Sequence, residues 1–263
     1  MSEELHQDGM PPSLTIRDAV ASICLRRPKK MNRLTADDLA LLQAHCEQID
    51  ADKGIRVVVL TADTAGQRHP VFCAGYDVGA FDSKTHDPQL FEQTVDRLAA
   101  LKPILVCGLN GSVFGGATDM VLACDLRIGQ FGMVFKMPAV ALGLHYYPSG
   151  LRRYVQAFGL ERAKQAFLSA RPFSSEQLLA CGILMDIHDH QAFDAALEKL
   201  TFEICDLAPL AAQSTKRSLA EIANGLFDLN SLRAREAVSI HSNDFVEGRA
   251  AFAQRRTPQF KGN

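Results

Sequence analysis

The stretch "NGSVFGGATDM", Asn110–Met120, places a glycine pair, Gly115 and Gly116, directly before a run of residues with a helical pattern. Two adjacent glycines lose much backbone entropy on folding, so their position at the start of a helix needs a physical reason. The first N–H groups of a helix have no partner within it, and glycine leaves them uncovered. Such amides can bind an anion or a developing oxyanion. The carboxylate of Asp119 follows three residues later, so we interpret this stretch as the centre of a candidate active site.

The glycines of this stretch do not belong to the common nucleotide-binding motifs. No Lys-Ser/Thr pair follows them as in a P-loop, and the three-glycine spacing of a dinucleotide-binding turn is absent. The chain also contains no Gly-x-Ser-x-Gly sequence, which excludes the nucleophile elbow of the serine hydrolases. Taken alone, the glycine pair is compatible with a close helix–strand contact as well as with an oxyanion site.

The composition of the chain limits its possible ligands. Its 263 residues are 47% hydrophobic and 22% charged, with a formal net charge of -2, as in an ordinary soluble globular protein. No long basic stripe is present, so we expect no binding to nucleic acid. The seven cysteines form no Cys-x-x-Cys pair and no spacing suited to zinc, so we predict reduced thiols and no metal site. The first residues are polar and no apolar run reaches membrane-spanning length, so we expect a cytoplasmic protein without a membrane contact.

Hydrophobic patterns predict that strands and helices alternate through the first two thirds of the chain. Thr35 is predicted to cap the first helix, with Asp38 in its first turn. Residues 63–81 are rich in Gly, His, Asp and Pro, which predicts a loop. The predicted strands are residues 13–27, 56–62, 102–111, 126–129 and 134–137, and the predicted helices are residues 35–50, 88–102 and 116–125. This order favours an α/β fold with mainly parallel strands and crossover helices.

Helical patterns dominate the last third of the chain, after one more strand candidate, "GILMDI" at residues 182–187. Apolar residues recur there at three- and four-residue spacing, which predicts amphipathic helices over residues 193–208, 209–226 and 229–256. We therefore predict a core over residues 1–200 and a helical C-terminal region over residues 201–263. Because amphipathic helices need a surface to pack on, we expect an oligomer.

Four segments, in this order, resemble the enoyl-CoA hydratase/isomerase (crotonase) superfamily and together extend over nearly the whole chain. The segments are "RRPKKMNRLT" at residues 26–35, "FCAGYD" at 72–77, "KPILVCGLNGSVFGGATDMVLACDLRI" at 102–128 and "FVEGRAAFAQRRTPQFKG" at 245–262. The resemblance implies a crotonase-like spiral of ββα units, followed by a helical region that forms a homotrimer or a dimer of trimers.

The resemblance also implies a substrate and its contacts. Family members stabilise the enolate of an acyl-CoA thioester with two backbone amides, which fall here on the N–H groups of Tyr76 and Gly116. Coenzyme A is then part of the substrate, and no separate cofactor is expected. Its adenine and phosphates are expected near Arg27, Lys29, Lys30 and Phe72, and Arg255 or Lys261 is a candidate contact from a neighbouring subunit.

The choice of reaction depends on the residues around these amides. The two glutamates of the family's hydratases fall on Asp119 and on Ala139, which cannot titrate, so hydration would have to proceed through Asp119. The run "GSVFGGATDM" and Tyr146 are similar to the methylmalonyl-CoA decarboxylases of the superfamily. Those enzymes carry a histidine at the position of Tyr76.

We therefore expect an acyl-CoA lyase and favour decarboxylation of a malonyl-type thioester over hydration. An enoyl-CoA isomerase and a catalytically silent CoA-binding scaffold remain open as alternatives. Asp119 and Tyr146 are the candidate catalytic side chains, and His145 or His69 could replace the missing histidine. Cys73, which precedes the Ala-Gly pair of residues 74–75, is interpreted as a small space-filling residue.

Overall fold

A computed structural model describes residues 9–77, 79 and 87–263 of the chain. The end of the predicted loop over residues 63–81 lies partly outside these residues. The strands are β1 Met10–Arg17, β2 Val20–Arg26, β3 Val57–Ala62, β4 Val71–Cys73, β5 Ile104–Leu109, β6 Ser112–Phe114, β7 Leu126–Gln130, β8 Val134–Lys136, β9 Phe173–Ser174 and β10 Asp186–His188. The helices are α1 Ala36–Ala51, α2 Leu90–Ala99, α3 Gly116–Ala123, α4 Pro148–Ser169, α5 Ser175–Ala180, α6 Phe193–Cys205, α7 Pro209–Ala223, α8 Leu229–Ile240 and α9 Asn243–Gln254.

The strands form two sheets that are filled alternately along the chain. The larger sheet has the order β1-β2-β3-β5-β7-β10 and the smaller one the order β4-β6-β8-β9. From β3 onward each pair of consecutive strands contributes one strand to each sheet and is followed by a helix, as in β3-β4-α2, β5-β6-α3 and β7-β8-α4. The strands of successive units pair in parallel, β3 with β5 and β5 with β7 in the larger sheet, and β4 with β6 and β6 with β8 in the smaller one. The predicted spiral of ββα units is therefore present.

The larger sheet is buried on both faces, which explains the continuous apolar runs in its strands. On one face, Leu60 and Leu105 belong to a large hydrophobic cluster that includes Leu39 of α1. On the other face, Val57 packs in a second cluster with Phe193 of α6. The helix α1 begins as predicted, because the Thr35 side chain and the Asp38 side chain form a reciprocal capping box.

Three predicted elements differ from the structure. The single strand predicted over residues 13–27 is an antiparallel hairpin, because the chain turns at Asp18 with a positive φ of 51°. The predicted loop over residues 63–81 contains the short buried strand β4. The last helical pattern is broken, because Ser242 ends one helix region and caps the next through its side chain. In the first and third cases apolar spacing continues across a change in backbone direction, so periodicity alone could not reveal it. The strand β4 has only three residues, too few to show a period within a segment rich in loop-forming residues.

The helix α6 spans the boundary predicted at residue 200. Its residues Phe193, Leu197 and Ile204 pack in one cluster against the larger sheet, so the helix belongs to the core along its whole length. The helices that follow Cys205 carry no buried residue in α7 and α8. The division into a core and a helical C-terminal region stays a prediction. No helix within the described ranges combines the length and hydropathy needed to cross a membrane.

Candidate active site

Two glycine turns from separate parts of the chain touch each other at the end of the smaller sheet. A Cβ atom on Gly75 would lie 2.9 Å from the carbonyl oxygen of Phe114 and 3.3 Å from the nitrogen of Gly116. Gly75 has a φ of +99° and Gly115 a φ of +57° with ψ of -138°, conformations that disfavour any side chain. The glycines are therefore required both for backbone conformation and for close contact between the two turns.

The N–H of Gly116 is directed by the carbonyl group of its own peptide. The carbonyl oxygen of Gly115 accepts hydrogen bonds from the backbone N–H of Thr118 at 3.0 Å and from the Thr118 hydroxyl at 2.5 Å. In a planar trans peptide the N–H points opposite to the C=O. The Gly116 N–H thus points out of the helix, and within the described residues no backbone or side-chain acceptor binds it.

The N–H of Tyr76 is directed in the same way by a different contact. The carbonyl oxygen of Gly75 accepts a hydrogen bond from Leu34 N–H at 2.9 Å, and Asp77 N–H donates to the Leu34 carbonyl at 3.0 Å. This is a parallel bridge between Leu34 and Tyr76. The Gly75 carbonyl and the Tyr76 N–H belong to the same trans peptide and point in opposite directions. Because the carbonyl points towards Leu34, the Tyr76 N–H faces away from Leu34.

Both turns line a cavity of ≈ 440 Å³. Its apolar lining includes Pro88, Phe91, Met137, Leu142, Leu144 and Pro148. Its polar side chains, among the described residues, are Tyr76, His145, Tyr146 and Tyr147. None of the described lining residues carries a carboxylate, an ammonium or a guanidinium group. Ala139 lines the cavity as well and contributes no titratable group.

Asp119 does not line this cavity. Its side chain is fully buried and forms a bidentate ion pair with Arg153, with Nε–Oδ1 and Nη2–Oδ2 distances of 2.8 and 2.6 Å. The Tyr147 hydroxyl donates to the same carboxylate at 2.5 Å. Among the described residues that line the cavity, Tyr147 is the one that bonds to this carboxylate. The role of Asp119 as an acid–base group stays a prediction.

The Tyr146 side chain lies in the cavity wall and continues this network. Its hydroxyl donates to the Tyr147 hydroxyl at 2.9 Å, and the two rings stack with centroids 4.1 Å apart. Burial, the charge of Asp119 and the neighbouring phenols raise the pKa of Tyr146 well above its ordinary value. Burial and the charge of Asp119 also raise the pKa of Tyr147. Both phenols therefore keep their protons, and the donors run from Tyr146 through Tyr147 to Asp119.

Sequence reasoning missed Tyr147 and Arg153 as members of this network. The run "HYYP" signals phenols near the site, but the contact of the second phenol with Asp119 depends on how α4 packs on α3. Arg153 is one of two adjacent arginines in α4, and nothing in the spacing shows which of them faces Asp119. The other arginine, Arg152, is exposed.

Cys73 does more than fill space beneath the first turn. Its fully buried thiol donates to the carbonyl oxygen of Asn32 at 2.9 Å and accepts from the N–H of Gly75 at 3.4 Å. Burial raises the pKa of the Cys73 thiol to about 12. The thiol is therefore protonated at neutral pH and acts as a structural hydrogen-bonding group rather than as a nucleophile.

The residues predicted to contact coenzyme A occupy different environments. Lys29 and Lys30 are exposed on a 3₁₀ turn that lies next to the first glycine turn, since Ala74 N–H donates to the Met31 carbonyl. Arg27 is paired in a bidentate manner with the buried Asp38.

Phe72 is fully buried, so its side chain presents no surface to a ligand. His69, Arg255 and Lys261 are not among the residues that line the cavity, whereas His145 is. Over the part of the chain that the structure describes, no group of three His, Cys, Asp or Glu side chains is arranged to hold a metal ion.

Comparison with known proteins identifies the family of this chain. The sequence profile of the enoyl-CoA hydratase/isomerase family matches residues 15–263. The chain is 28% identical over 263 residues to (E)-benzylidenesuccinyl-CoA hydratase from Thauera aromatica, covering 96% of this chain and 100% of that protein. It is 27% identical over 219 residues to methylmalonyl-CoA decarboxylase from Escherichia coli, covering 80% of this chain and 82% of that protein.

The fold is similar to that of solved structures. The crystal structure of enoyl-CoA hydratase from Bacillus anthracis superposes with a TM-score of 0.84 at 25% identity, covering 97% of this chain and 100% of that chain. Because the family profile spans nearly the whole sequence, the protein belongs to the enoyl-CoA hydratase/isomerase family and has its crotonase fold.

Proposed function

We propose that this protein is a CoA-thioester lyase that decarboxylates a malonyl-type acyl-CoA. The observation that carries the proposal is a cavity with two outward-directed amides, at Tyr76 and Gly116, and no carboxylate among its described lining residues. Loss of carbon dioxide from such a thioester forms an enolate without any base that removes a proton from carbon. An oxyanion site and a proton donor then suffice for the reaction.

The proposed reaction breaks the bond between the α-carbon and the carboxylate of the substrate. The electron pair of this bond forms the enolate, carbon dioxide leaves, and the thioester oxygen takes the negative charge against the two N–H groups. Each such donor is typically worth about 3 to 4 kcal/mol in the transition state. The apolar lining favours loss of the charged carboxylate, because the carboxylate is poorly solvated there and carbon dioxide is neutral.

The proton donor we propose is Tyr146. Its hydroxyl donates to Tyr147 in the structure, and rotation about its C–O bond turns the proton towards the cavity. Transfer to the α-carbon completes the thioester product, and solvent returns a proton to the phenolate. Tyr147 keeps its own hydrogen bond to Asp119, so Asp119 acts as a positioning residue in this reaction.

Hydration of an enoyl-CoA is the second candidate, and the direction of the donors favours it. Protons can pass from the cavity through Tyr146 and Tyr147 to the Asp119 carboxylate, which is the direction needed to activate water. The similarity to (E)-benzylidenesuccinyl-CoA hydratase is compatible with this reaction. The decarboxylation proposal ranks first because a hydratase of this family needs two acid–base groups, and Ala139 replaces one of them.

An assay of the purified protein with methylmalonyl-CoA and with crotonyl-CoA separates the two reactions. We expect methylmalonyl-CoA to be converted to propionyl-CoA, measured by mass spectrometry, and crotonyl-CoA to remain unchanged. Tyr146→Phe should lower kcat by at least about 100-fold, because the proton donor is lost while the ring remains. Turnover of crotonyl-CoA alone would establish hydration instead, and no turnover of either ester would favour a silent scaffold.

We further propose that the protein forms a homotrimer or a dimer of trimers and is located in the cytoplasm. Large apolar side chains of the C-terminal helical region are exposed in the isolated chain, among them Leu226 at 75%, Val246 at 65% and Phe252 at 89%. An apolar surface of this kind supports a homotrimer or a dimer of trimers. An acyl-CoA substrate and the unpaired cysteines of the described residues are compatible with the cytoplasm.

A further inference from the structure

We infer that Thr118 and Tyr154 are positioning residues that aim and polarise the N–H of Gly116 towards the thioester oxygen. The inference rests on the proposed function, since it assigns these residues to one of the two proposed oxyanion donors. Neither residue lines the cavity. Both act through the peptide group that joins Gly115 and Gly116.

The contacts form a chain with one possible direction. The Thr118 hydroxyl lies 2.5 Å from the Gly115 carbonyl oxygen and 2.5 Å from the Tyr154 hydroxyl. A carbonyl can only accept, so the single hydroxyl proton of Thr118 is donated to Gly115. Tyr154 must therefore donate to Thr118. The order is Tyr154 O–H to Thr118 O–H to the Gly115 carbonyl, and the N–H of Gly116 is the last donor.

This chain both orients the amide and strengthens it as a donor. A hydrogen bond to a peptide carbonyl draws electron density away from the nitrogen of the same peptide, so its N–H becomes a stronger donor. Consecutive hydrogen bonds polarise one another in the same direction inside a protein of low dielectric constant. When negative charge develops on the thioester oxygen, all members of the chain are already aligned to stabilise it.

The outer end of the chain is held rigidly. The Tyr154 side chain is fully buried, and its ring contacts Phe167 with centroids 4.7 Å apart and Phe158 with centroids 5.7 Å apart. Burial raises the pKa of Tyr154 well above its ordinary value. The phenol therefore keeps its proton and stays a donor.

A purely structural role would make Thr118 equivalent to any buried threonine that bonds to its own helix. Thr201 is such a residue, because its buried hydroxyl donates to the Leu197 carbonyl at 2.8 Å, and it lies in α6, outside the site. Thr201→Val is therefore the matched control for Thr118→Val. Both substitutions remove one buried hydroxyl without changing the volume of the side chain much.

The test uses the carbonyl stretch of acetyl-CoA, labelled with ¹³C at the thioester carbon, when it is bound to the whole protein. We expect the wild-type protein, Thr201→Val and Thr118→Ser to lower the stretching frequency of the bound thioester to the same extent. Thr118→Val and Tyr154→Phe should lower it clearly less. With an active ester, these two variants should lose about tenfold in kcat while KM changes by less than about twofold, since only the oxyanion donor is weakened.

Each outcome decides the inference. A full wild-type shift in Thr118→Val, or in Tyr154→Phe if Thr118→Val does not fold, overturns it. Equal losses in Thr201→Val and Thr118→Val also overturn it, because a structural role would then explain both. A correct pattern of shifts without turnover of any tested ester supports the positioning role and refutes the proposed reaction alone. Absence of a shift in the wild-type protein refutes the oxyanion site itself, and the inference with it.

Discussion

The two glycine turns of the site have the same proposed task and are held by opposite means. The Gly75 carbonyl is fixed by a main-chain hydrogen bond from Leu34, a residue 41 positions earlier in the sequence. The Gly115 carbonyl is fixed by Thr118, three positions later, through its N–H and its hydroxyl. The first turn therefore depends on the packing of distant segments, and the second depends on local side chains at a helix start.

This difference predicts how each turn responds to substitution. A main-chain contact is retained by most side-chain replacements, so the first turn should be sensitive to backbone changes and tolerant of others. The second turn is followed by Asp119 and its buried ion pair, so changes of side-chain chemistry should matter more there.

The largest expected effect is on the contact between the two turns. Gly75→Ala places a Cβ 2.9 Å from the Phe114 carbonyl oxygen at a φ of +99°, so the turns must separate and the two amides can no longer share one oxygen. We expect turnover of the active CoA ester to fall by about 100- to 1000-fold, the range for loss of one oxyanion donor. Steady-state kinetics measures this effect.

The matched control is Gly132→Ala. Gly132 has a φ of +81°, and no atom lies within 4 Å of the position of its Cβ. It therefore carries a similar backbone penalty of about 1 to 2 kcal/mol without a clash. Equal turnover losses in the two variants would show that backbone strain, not separation of the turns, explains the effect.

The second effect concerns the ion pair behind the second turn. Asp119→Asn leaves the Arg153 guanidinium, whose side chain is 12% exposed, without its buried anionic partner. We expect the free energy of unfolding to fall by about 3 kcal/mol. Denaturant unfolding followed by circular dichroism measures this change.

Asp96 provides the comparison, because it pairs with the same arginine from a side chain that is 46% exposed. Asp96→Asn should lower the free energy of unfolding by no more than about 1 kcal/mol, since solvent screens the exposed pair. If both variants lose the same stability, the burial of Asp119 is not the reason for its contribution.

The smallest expected effect is on the thiol beneath the first turn. Cys73→Ala removes two hydrogen bonds of a sulfur atom, so we expect a loss of about 1 kcal/mol in the free energy of unfolding at pH 7. We expect kcat to change by less than about threefold, since the Leu34 N–H still holds the Gly75 carbonyl. A tenfold loss of kcat would show that the first turn also depends on a side chain.

The same variant has a signature at alkaline pH. The folded thiol of Cys73 has a pKa of about 12, because burial disfavours the thiolate, whereas an exposed thiol has an ordinary value of 9.0. Above pH 9 the unfolded state therefore ionises first and is stabilised relative to the folded state. The wild-type free energy of unfolding should fall more steeply than that of Cys73→Ala between pH 9 and 12, by up to about 1.4 kcal/mol per pH unit. Parallel curves for the two proteins would contradict this.

The sequence predicted the elements whose causes are local. The capping box at Thr35 and the apolar run of β3 were both predicted and are both present. The glycine turn at residues 115 and 116 was predicted as an anion site because a helix start and a glycine pair occur together. The hairpin turn at Asp18 was missed, since hydrophobic spacing does not report a change in chain direction. The strand β4 was missed because its three residues are too few to show a period.

The side chains around the amides could be predicted only in part. Tyr146 was found through resemblance, and the structure places it in the cavity wall. Tyr147, Arg153 and Tyr154 were missed, because all three lie on or beside α4 and meet α3 only after the two helices pack. Asp119 was predicted as a carboxylate of the site, and the structure buries it completely. Its burial is a property of the packing.

By itself the sequence determined the α/β order apart from the β1–β2 turn and β4, the two glycine turns and the family, because periodicity, capping and glycine act over a few residues. Only the tertiary structure decided that the two turns touch. It also decided that the Tyr147 side chain, and not the Asp119 carboxylate, lines the cavity. These facts depend on contacts such as Leu34 with Gly75 and Arg153 with Asp119. Such contacts form between residues far apart in sequence, and their geometry exists only when the whole core is packed.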